Sequence, residues 1–151
     1  MRVSEAMTRH VRVCNPGDSI RDCANVMAEI GAGVLPVAEN SLLVGMITDR
    51  DIAIRAVAAG KGPDTPVREV LSKEVLFCFD DQDLDHVASS MGQARVRRVP
   101  VLTRDDRLVG ILSLGDVARH SPEAAAGAVL EVSKQGGPHS QTAKALAHQL
   151  P

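Results

Sequence analysis

The sequence contains one pattern twice between residues 3 and 120. Residues 3–7 match residues 67–71, and residues 35–37 match residues 99–101, both at an offset of 64. Later in each copy the offset becomes 65, because one residue is added in a predicted turn. Two copies are too few for a solenoid, which needs at least three stacked repeats. The duplication therefore predicts two half-domains of one fold, packed face to face.

Each copy reads as strand, helix, strand, strand and helix from its apolar spacing. The predicted elements of the first copy are a strand over 11–14, a helix capped by Ser19 and stopped by Gly31 and Gly33, a hairpin of 34–38 and 42–48, and a helix over 51–59 before Gly60. One face of the first helix should be buried, with Ile20, Cys23, Ala24, Met27 and Ile30 on it. The fold class expected is α/β in the broad sense (α+β), as two β-α-β-β-α repeats.

The second copy repeats these elements. Its helical stripe is Leu84, Val87, Ala88 and Met91, and its hairpin pairs 99–103 with 108–113. The predicted organisation is repeat 1 over 3–60, a linker over 61–66, repeat 2 over 67–120 and a C-terminal helical tail over 121–151. In the tail, Ser121 should cap a helix over 124–134, and residues 142–150 could form a last short helix.

Both copies carry a Gly-x-x-hydroxyl-x-x-Asp motif where a strand gives way to a helix. Thr48 stands three residues before Asp51, and Ser113 stands three residues before Asp116. This spacing puts hydroxyl and carboxylate on one side of the first helical turn, beside its free amide groups. Such a corner can hold a polyol and an anion together, as in a ribose phosphate. The alternative is a purely local role, in which the hydroxyl is an N-cap and the aspartate stabilises the helix N-terminus.

Composition narrows the classes of partner. Phe77 and Phe79 are the aromatic residues of the chain, too few for a platform that stacks single-stranded nucleic acid. A formal net charge of −2 gives no global basic field for DNA or membrane. The N-terminus lacks a signal core, and no run approaches the roughly 18 apolar residues of a membrane span. We therefore expect a cytoplasmic protein that binds neither nucleic acid nor membrane.

Metal and redox chemistry receive little support from the sequence. The histidines lack the spacing of a zinc motif. Three cysteines without a CxxC pair suit a reducing compartment. Cys14 and Cys78 stand at equivalent positions of the two copies, which favours a structural role as small apolar residues.

The duplicated unit, its apolar-Pro-Val strand and its two corner motifs resemble a pair of CBS domains, the Bateman module. The resemblance covers residues 3–120. Residues 48–52, 97–101 and 118–120 also resemble stand-alone two-CBS proteins such as the hypoxic response proteins. The resemblance to a CBS pair implies two units related by pseudo-twofold symmetry, with two clefts that in this family often bind AMP, ADP, ATP, S-adenosylmethionine or NAD. It also implies a homodimer and a sensor or regulator rather than an enzyme.

The resemblance assigns ligand-binding roles to the corner residues. Asp51 and Asp116 match the ribose-binding aspartates of the family, and a charged acceptor makes strong hydrogen bonds with vicinal hydroxyls. Thr48 and Ser113 match the hydroxyl that contacts ribose or phosphate.

Charged residues near the corners are candidates for binding the phosphate groups of a ligand. Arg97 and Arg98 precede the second Val-Pro-Val strand, where family members carry basic residues that face phosphates, and arginine suits phosphate oxygens. A solvated basic patch is the alternative. The first copy has Gly33 and Val34 in their place, which predicts unequal clefts, although Arg50 could supply the missing charge there or lie on the surface.

A third set of residues is expected to pack mainly in the core and, as a secondary role, to form walls of the adenine pocket. These are Val11, Leu35, Pro36, Val75, Val99 and Pro100. Val13 and Phe77 are likewise expected in the core. Pro36 and Pro100 are expected on edge strands, where some backbone groups have no partner in the sheet and remain free to bind a base.

The function expected is regulation through an adenosine-containing nucleotide, with no cofactor and no catalytic residues. A protein partner in trans is implied, because a stand-alone pair has no fused enzyme to regulate. The alternative is a ligand-free interaction module that acts through dimerisation.

Overall fold

The computed structural model describes residues 1–134. In chain order its elements are α1 (Val3–Ala6), α2 (Ile20–Ile30), β1 (Val34–Glu39), β2 (Leu42–Thr48), α3 (Asp49–Asp51), a π-helical segment (Ile52–Val57), a 3-10 turn (Val67–Glu69), β3 (Cys78–Phe79), α4 (Leu84–Ala94), β4 (Arg98–Leu102), β5 (Leu108–Ser113), α5 (Leu114–His120) and α6 (Pro122–Val132). This mixture of helices and strands is the α+β class that the sequence predicts. Among these residues, no helix has both the length and the apolar character to cross a membrane.

The described chain divides into two compact units, each named here for its corner aspartate. The Asp51 unit contains His10–Phe77 and Leu102–Val109. The Asp116 unit contains Met1–Arg9, Cys78–Val101 and the described residues from Gly110 onward. Each unit is therefore assembled from more than one stretch of chain.

In the Asp51 unit, α2 has the start and the stop that its sequence specifies. The Ser19 Oγ accepts a hydrogen bond from the Asp22 amide at 3.1 Å, which satisfies one of the unpaired donors of the first turn. Gly31 ends the helix at a φ of 66°, a left-handed conformation that glycine adopts without strain. Both predictions are confirmed.

β1 and β2 form the predicted antiparallel hairpin. Asn40 and Ser41 connect them with positive φ values of 52° and 67°, as a two-residue turn compatible with strand twist requires. A register shift between Val37 and Ala38 bends the pair.

The glycine of the corner motif allows another segment to approach β2. Met46 and Ser72 exchange two backbone hydrogen bonds, of 3.0 and 2.9 Å. A Cβ at Gly45 would lie 2.5 Å from the Ser72 carbonyl oxygen, closer than real Cβ contacts come. Glycine is thus required here by packing.

The Asp116 unit repeats this arrangement with the N-terminal segment. Thr8 and Ile111 exchange two backbone hydrogen bonds, of 2.9 and 3.0 Å. A Cβ at Gly110 would lie 2.7 Å from the Thr8 carbonyl oxygen. Thr8 and Ser72 stand at the same position of the two repeats. The first segment of each repeat therefore pairs with the corner strand that belongs to the other repeat.

Helix α6 packs on α4 within the Asp116 unit. A Cβ at Gly92 would lie 2.9 Å from the Ala128 Cα, so the two helices approach closely at this glycine. Ala125 and Ala128 are buried along with the predicted α4 stripe, Leu84, Val87, Ala88 and Met91. The α4 prediction is confirmed, and the beginning of the tail is part of a core.

Three sequence predictions about the first strands and helix α2 are wrong. Residues 11–14 form no strand, because only Cys14 makes an isolated bridge, to Val37. Val13 and Phe77 are 41% and 48% exposed, so they are not core residues. On α2, Ala24 and Ile30 are exposed, because the buried face is narrower than the apolar spacing suggests.

Other differences concern helix ends and proline positions. The predicted 51–59 helix begins at Asp49 and continues as the π-helical segment, where the Ala58 amide bonds to the Ala53 carbonyl. Ser121 makes no side-chain cap, and α6 begins at Pro122. Pro100 lies in the middle strand of the β3-β4-β5 sheet, not at an edge, although its neighbour β3 has only two residues. Residues 142–150 lie outside the described chain.

Candidate functional site

In the Asp51 unit, the corner is a reciprocal cap on α3. The Thr48 Oγ1 accepts a hydrogen bond from the Asp51 amide at 2.9 Å, and the Asp51 Oδ2 accepts one from the Thr48 amide at 3.0 Å. Two unpaired donors at the start of the helix are thereby satisfied. The local role that the sequence allowed for both residues is present.

The Asp116 unit has the same cap at the start of α5. The Ser113 Oγ accepts from the Asp116 amide at 3.1 Å, and the Asp116 Oδ2 accepts from the Ser113 amide at 2.9 Å. The Ser113 hydroxyl also lies 2.9 Å from the same Oδ2. Capping occupies one carboxylate oxygen in each corner and leaves Oδ1 for other partners.

A hydroxyl from the other repeat reaches each aspartate. The Ser72 Oγ lies 3.5 Å from the Asp51 Oδ1 and 3.4 Å from its Oδ2. The Thr8 Oγ1 lies 3.4 Å from the Asp116 Oδ1. These are long, weak contacts. Neither residue is among those predicted from the sequence, although two hydroxyls at an offset of 64 were a signal that could have identified them.

An arginine from the next helical turn approaches the Oδ1 atom of each aspartate, and the approach is closer at Asp116 than at Asp51. The Arg55 Nε is 3.8 Å from the Asp51 Oδ1, and its Nη1 donates to the Leu71 carbonyl at 3.0 Å. Arg119 Nη2 forms a direct ion pair with the Asp116 Oδ1. The Asp116 side chain is 5% exposed and the Asp51 side chain 12%. Asp116 is therefore the more fully engaged of the two carboxylates.

The backbone brings Arg97 to the start of α5. The Leu114 amide donates to the Arg97 carbonyl at 3.0 Å, and the Asp49 amide donates to the Gly33 carbonyl at 2.9 Å. Arg97 and Gly33 thus hold equivalent positions beside their corners, as the repeat alignment predicts. Arg98 follows as the first residue of β4, and both arginines are exposed.

The first corner has an acid where the second has a leucine. Asp49 occupies the position of Leu114, and a Cβ at Gly33 would lie 2.5 Å from the Asp49 Oδ2. An arginine could not stand at position 33 without displacing that carboxylate. Arg50 is exposed and follows Asp49 at this corner. The two corners therefore share a cap and differ in charge.

The predicted pocket walls fall into two groups. Leu35, Pro36, Val99 and Pro100 are almost fully buried, which agrees with a core role first. Val11 and Val75 are partly exposed. Val75 lines a groove of about 440 Å³ whose other walls are Leu42, Leu43, Val44, Gly45, Lys73, Phe77, Leu102 and Asp106. Thr48 and Asp51 are not among the walls of that groove, so it does not join Val75 to the corner.

Within the described chain, no three His, Cys, Asp or Glu side chains converge as a metal site requires. Cys14, Cys23 and Cys78 are buried free thiols. Burial raises the pKa of the Cys78 thiol to about 12, and nearby Asp80 adds to the shift. The candidate site is consequently a pair of carboxylate-hydroxyl corners with arginines beside them.

Two curated proteins resemble the chain over most of both lengths. The CBS domain-containing protein YhcV of Bacillus subtilis is 38% identical over 135 residues, covering 88% of this chain and 96% of that protein. Hypoxic response protein 1 of Mycobacterium tuberculosis is 35% identical over 123 residues, covering 80% and 85%. The structure of Hypoxic Response Protein I with two coordinated zinc ions superimposes with a TM-score of 0.73 and 32% identity, over 81% of this chain and all of that one.

Two solved relatives contain adenosine compounds. CBSX2 in complex with AMP has a TM-score of 0.70 and 25% identity, covering 80% of this chain and 96% of that one. The CBS domain pair of protein MJ0100, in complex with 5-methylthioadenosine and S-adenosyl-L-methionine, has a TM-score of 0.68 and 28% identity, covering 79% and 94%.

The family match agrees with the duplication. CBS domain sequences match this chain over residues 3–57 and again over 67–123. With two matched regions, corresponding corners and relatives that align over nearly their whole length, the chain belongs to the CBS domain family as a tandem CBS pair.

Proposed function

We propose that this protein is a regulator that binds an adenosine-containing nucleotide through its two corner aspartates. The observation that carries the proposal is the duplicated corner. One carboxylate oxygen of each aspartate caps a helix, and the other is contacted by side chains that the hydroxyls of a ligand could replace. The adenosine compounds bound by CBSX2 and MJ0100 support this class of ligand. No catalytic role is part of the proposal.

At the Asp51 corner, the two hydroxyls of a ribose would replace weak contacts. Ser72 and Arg55 stand 3.5 and 3.8 Å from Oδ1, at or beyond the range of a good hydrogen bond. Vicinal hydroxyls at a normal distance would donate more strongly to this charged acceptor. Little existing bonding is lost when such a ligand enters.

At the Asp116 corner, the ribose would compete with the Arg119 ion pair. The Arg119 side chain is 65% exposed, so it can turn into solvent or toward an anion without a burial penalty. A phosphate beside this corner would give Arg119 a second acceptor. Ligand binding and release of this ion pair are therefore expected to be linked.

Charge distinguishes the two corners. The Asp116 corner has one acid, the Arg119 ion pair, and Arg97 and Arg98 in the segment that leads to it, whereas the Asp51 corner has a second acid, Asp49, beside Arg50 and Arg55. Phosphate oxygens favour arginine and are repelled by carboxylate. We therefore assign phosphorylated nucleotide to the Asp116 corner, and the nucleoside portion without a phosphate contact to the Asp51 corner.

Isothermal titration calorimetry with AMP, ATP, NAD, S-adenosylmethionine and adenosine tests the assignment. Asn replaces each corner Asp at constant shape, and an amide oxygen can still cap the helix. We expect Asp51→Asn and Asp116→Asn each to weaken binding about tenfold, since about 1.4 kcal/mol corresponds to one decade. Exposed Asp105→Asn is the control and should bind as the wild type does. Unchanged affinity in the double variant would refute the ribose assignment.

A second titration tests the phosphate assignment. Arg97→Gln and Arg98→Gln should weaken AMP binding while adenosine binding stays constant. Arg95→Gln is the matched control, because Arg95 is the C-cap of α4 and lies outside β4. Equal losses for AMP and adenosine would show that the arginines act on structure and not on phosphate.

The alternative, an interaction module that acts through dimerisation, is favoured by one observation. Ile54 and Val57, three residues apart on the π-helical segment, are 53% and 67% exposed and could form an apolar contact with a second copy. Light scattering of the wild type and Val57→Glu, with and without AMP, separates the two functions. A dimer lost in the variant, with no bound nucleotide in either protein, would favour the interaction module.

A further inference from the structure

Two cysteines of the Asp51 unit lie in contact, although their spacing in the sequence is not that of a CxxC pair. The Sγ atoms of Cys14 and Cys23 are 2.6 Å apart. Both residues are buried, with exposures of 2% and 0%. Cys14 lies at the end of the segment before α2, and Cys23 lies in the first turns of α2. The contact thus joins two elements that the backbone connects through the turn of residues 15–18.

The arrangement prepares one sulfur for reaction. The Cys23 S–H donates to the Cys14 sulfur, and this hydrogen bond lowers the pKa of Cys14 and raises that of Cys23. Arg12 also favours the Cys14 thiolate, whereas burial, Asp18 and Asp22 oppose it. A thiolate is the form of cysteine that reacts with electrophiles and oxidants. Cys14 is therefore the nucleophile of the pair, and Cys23 is the resolving thiol.

The backbone holds Cys14 in place between two exposed neighbours. Its amide donates to the Pro36 carbonyl at 3.0 Å, and its carbonyl accepts from the Ala38 amide at 2.9 Å. The neighbours Val13 and Asn15 are exposed. Because both cysteines are buried, a small oxidant should reach the Cys14 sulfur more readily than a bulky disulfide.

We propose that Cys14 and Cys23 are an oxidation site that forms an intramolecular disulfide when the protein meets hydrogen peroxide. The Cys14 thiolate attacks one peroxide oxygen, the O–O bond breaks, and a sulfenic acid and hydroxide result. Cys23 gives its proton to hydroxide and attacks the Cys14 sulfur. The S–O bond breaks, and the departing hydroxide leaves as water after it takes from solvent the proton that Cys14 released on ionising. Two thiols and one peroxide thus become one disulfide and two waters.

Little movement is needed for the bond to form. A disulfide requires an S–S separation of about 2.05 Å, so the two sulfurs must approach by about 0.5 Å. The bond would tie the Cys14 segment and the hairpin strand β1, to which Cys14 is hydrogen-bonded, to helix α2. The proposal is independent of nucleotide binding and can succeed or fail without it.

Peptide mapping of the folded protein tests the site. Hydrogen peroxide is added at neutral pH, remaining thiols are alkylated, and trypsin is applied without reductant. Cleavage after Arg12, Arg21 and Arg50 separates peptide 13–21, with Cys14, from peptide 22–50, with Cys23. We expect a linked 13–21/22–50 species whose mass is about 2 Da below the sum of the two peptides, and which dithiothreitol separates.

Variants and a second oxidant sharpen the result. Cys78→Ser should retain the linked species, because Cys78 is the sole cysteine of the sequence outside the Asp51 unit. Cys23→Ala should accumulate Cys14 sulfenic acid, which dimedone labels. Oxidised glutathione should produce the linked species more slowly than an equal concentration of peroxide. The inference is overturned if the wild type yields both peptides unlinked and alkylated, or yields Cys14 linked between chains.

Discussion

The glycine at the α4–α6 contact allows a quantitative test of the packing. In Gly92→Ala, the new Cβ would lie 2.9 Å from the Ala128 Cα and 3.4 Å from the Ala128 carbonyl oxygen. Both atoms belong to backbone and cannot rotate away. Overpacking of this kind typically costs about 1–3 kcal/mol. Alanine also favours the helix by about 1 kcal/mol relative to glycine. The expected net loss of stability is therefore about 0–2 kcal/mol.

Gly127 provides the matched control on the facing helix. It lies inside α6, and a Cβ there would meet nothing within 4 Å. Gly127→Ala should therefore keep the helix-propensity gain of about 1 kcal/mol without a clash. The difference between the two variants, about 1–3 kcal/mol, isolates the clash itself.

Urea unfolding followed by circular dichroism gives the required free energies. At this chain length, 1 kcal/mol corresponds to a shift of about 2–4 °C in Tm, so thermal melts offer an independent reading. The slopes against urea should remain equal, because neither variant changes the surface exposed on unfolding. If Gly92→Ala is stabilised as much as Gly127→Ala, α4 and α6 do not pack as described.

Three further predictions follow from the corners, the exchanged segments and the isolated thiol. Ser113→Ala should lose about 1 kcal/mol of stability in urea unfolding, whereas Ser113→Thr should be nearly neutral, because Thr48 makes the same cap in the other unit; equal losses would contradict the cap. A fragment ending at residue 66 should show no cooperative melt by circular dichroism, since β2 then lacks its hydrogen-bonding partner Ser72; a native-like melt would refute this. The stability of the folded protein should decline between pH 9.0 and about 12, because the unfolded Cys78 thiol ionises there while the folded one, with its raised pKa, does not; Cys78→Ala should reduce that decline.

Local features of the sequence were sufficient to predict much of this structure. Ser19 and Gly31 mark the ends of α2 because capping depends on neighbouring residues. The Asn40-Ser41 turn and the two reciprocal caps are likewise short-range. The corner residues were found because duplication made a weak local motif visible twice.

The errors have a common cause in long-range packing. Residues 11–14 have strand-like composition, yet only Cys14 finds a backbone partner. The apolar Phe77 remains 48% exposed and lines the groove beside Val75. Periodicity describes one element at a time and contains no information about the partner of that element.

What the sequence determined by itself is the repeat, helix α2, helix α4, the hairpin of β1 and β2, and the capped corners, because these follow from spacing and short-range hydrogen bonds. Only the tertiary structure decided that Thr8 and Ser72 pair with the corner strands of the opposite repeats. It also decided that Ser72 and Thr8 reach the aspartates and that Cys14 meets Cys23. Each of these is a contact between elements separated along the chain, and such contacts are set by the way complete surfaces fit together.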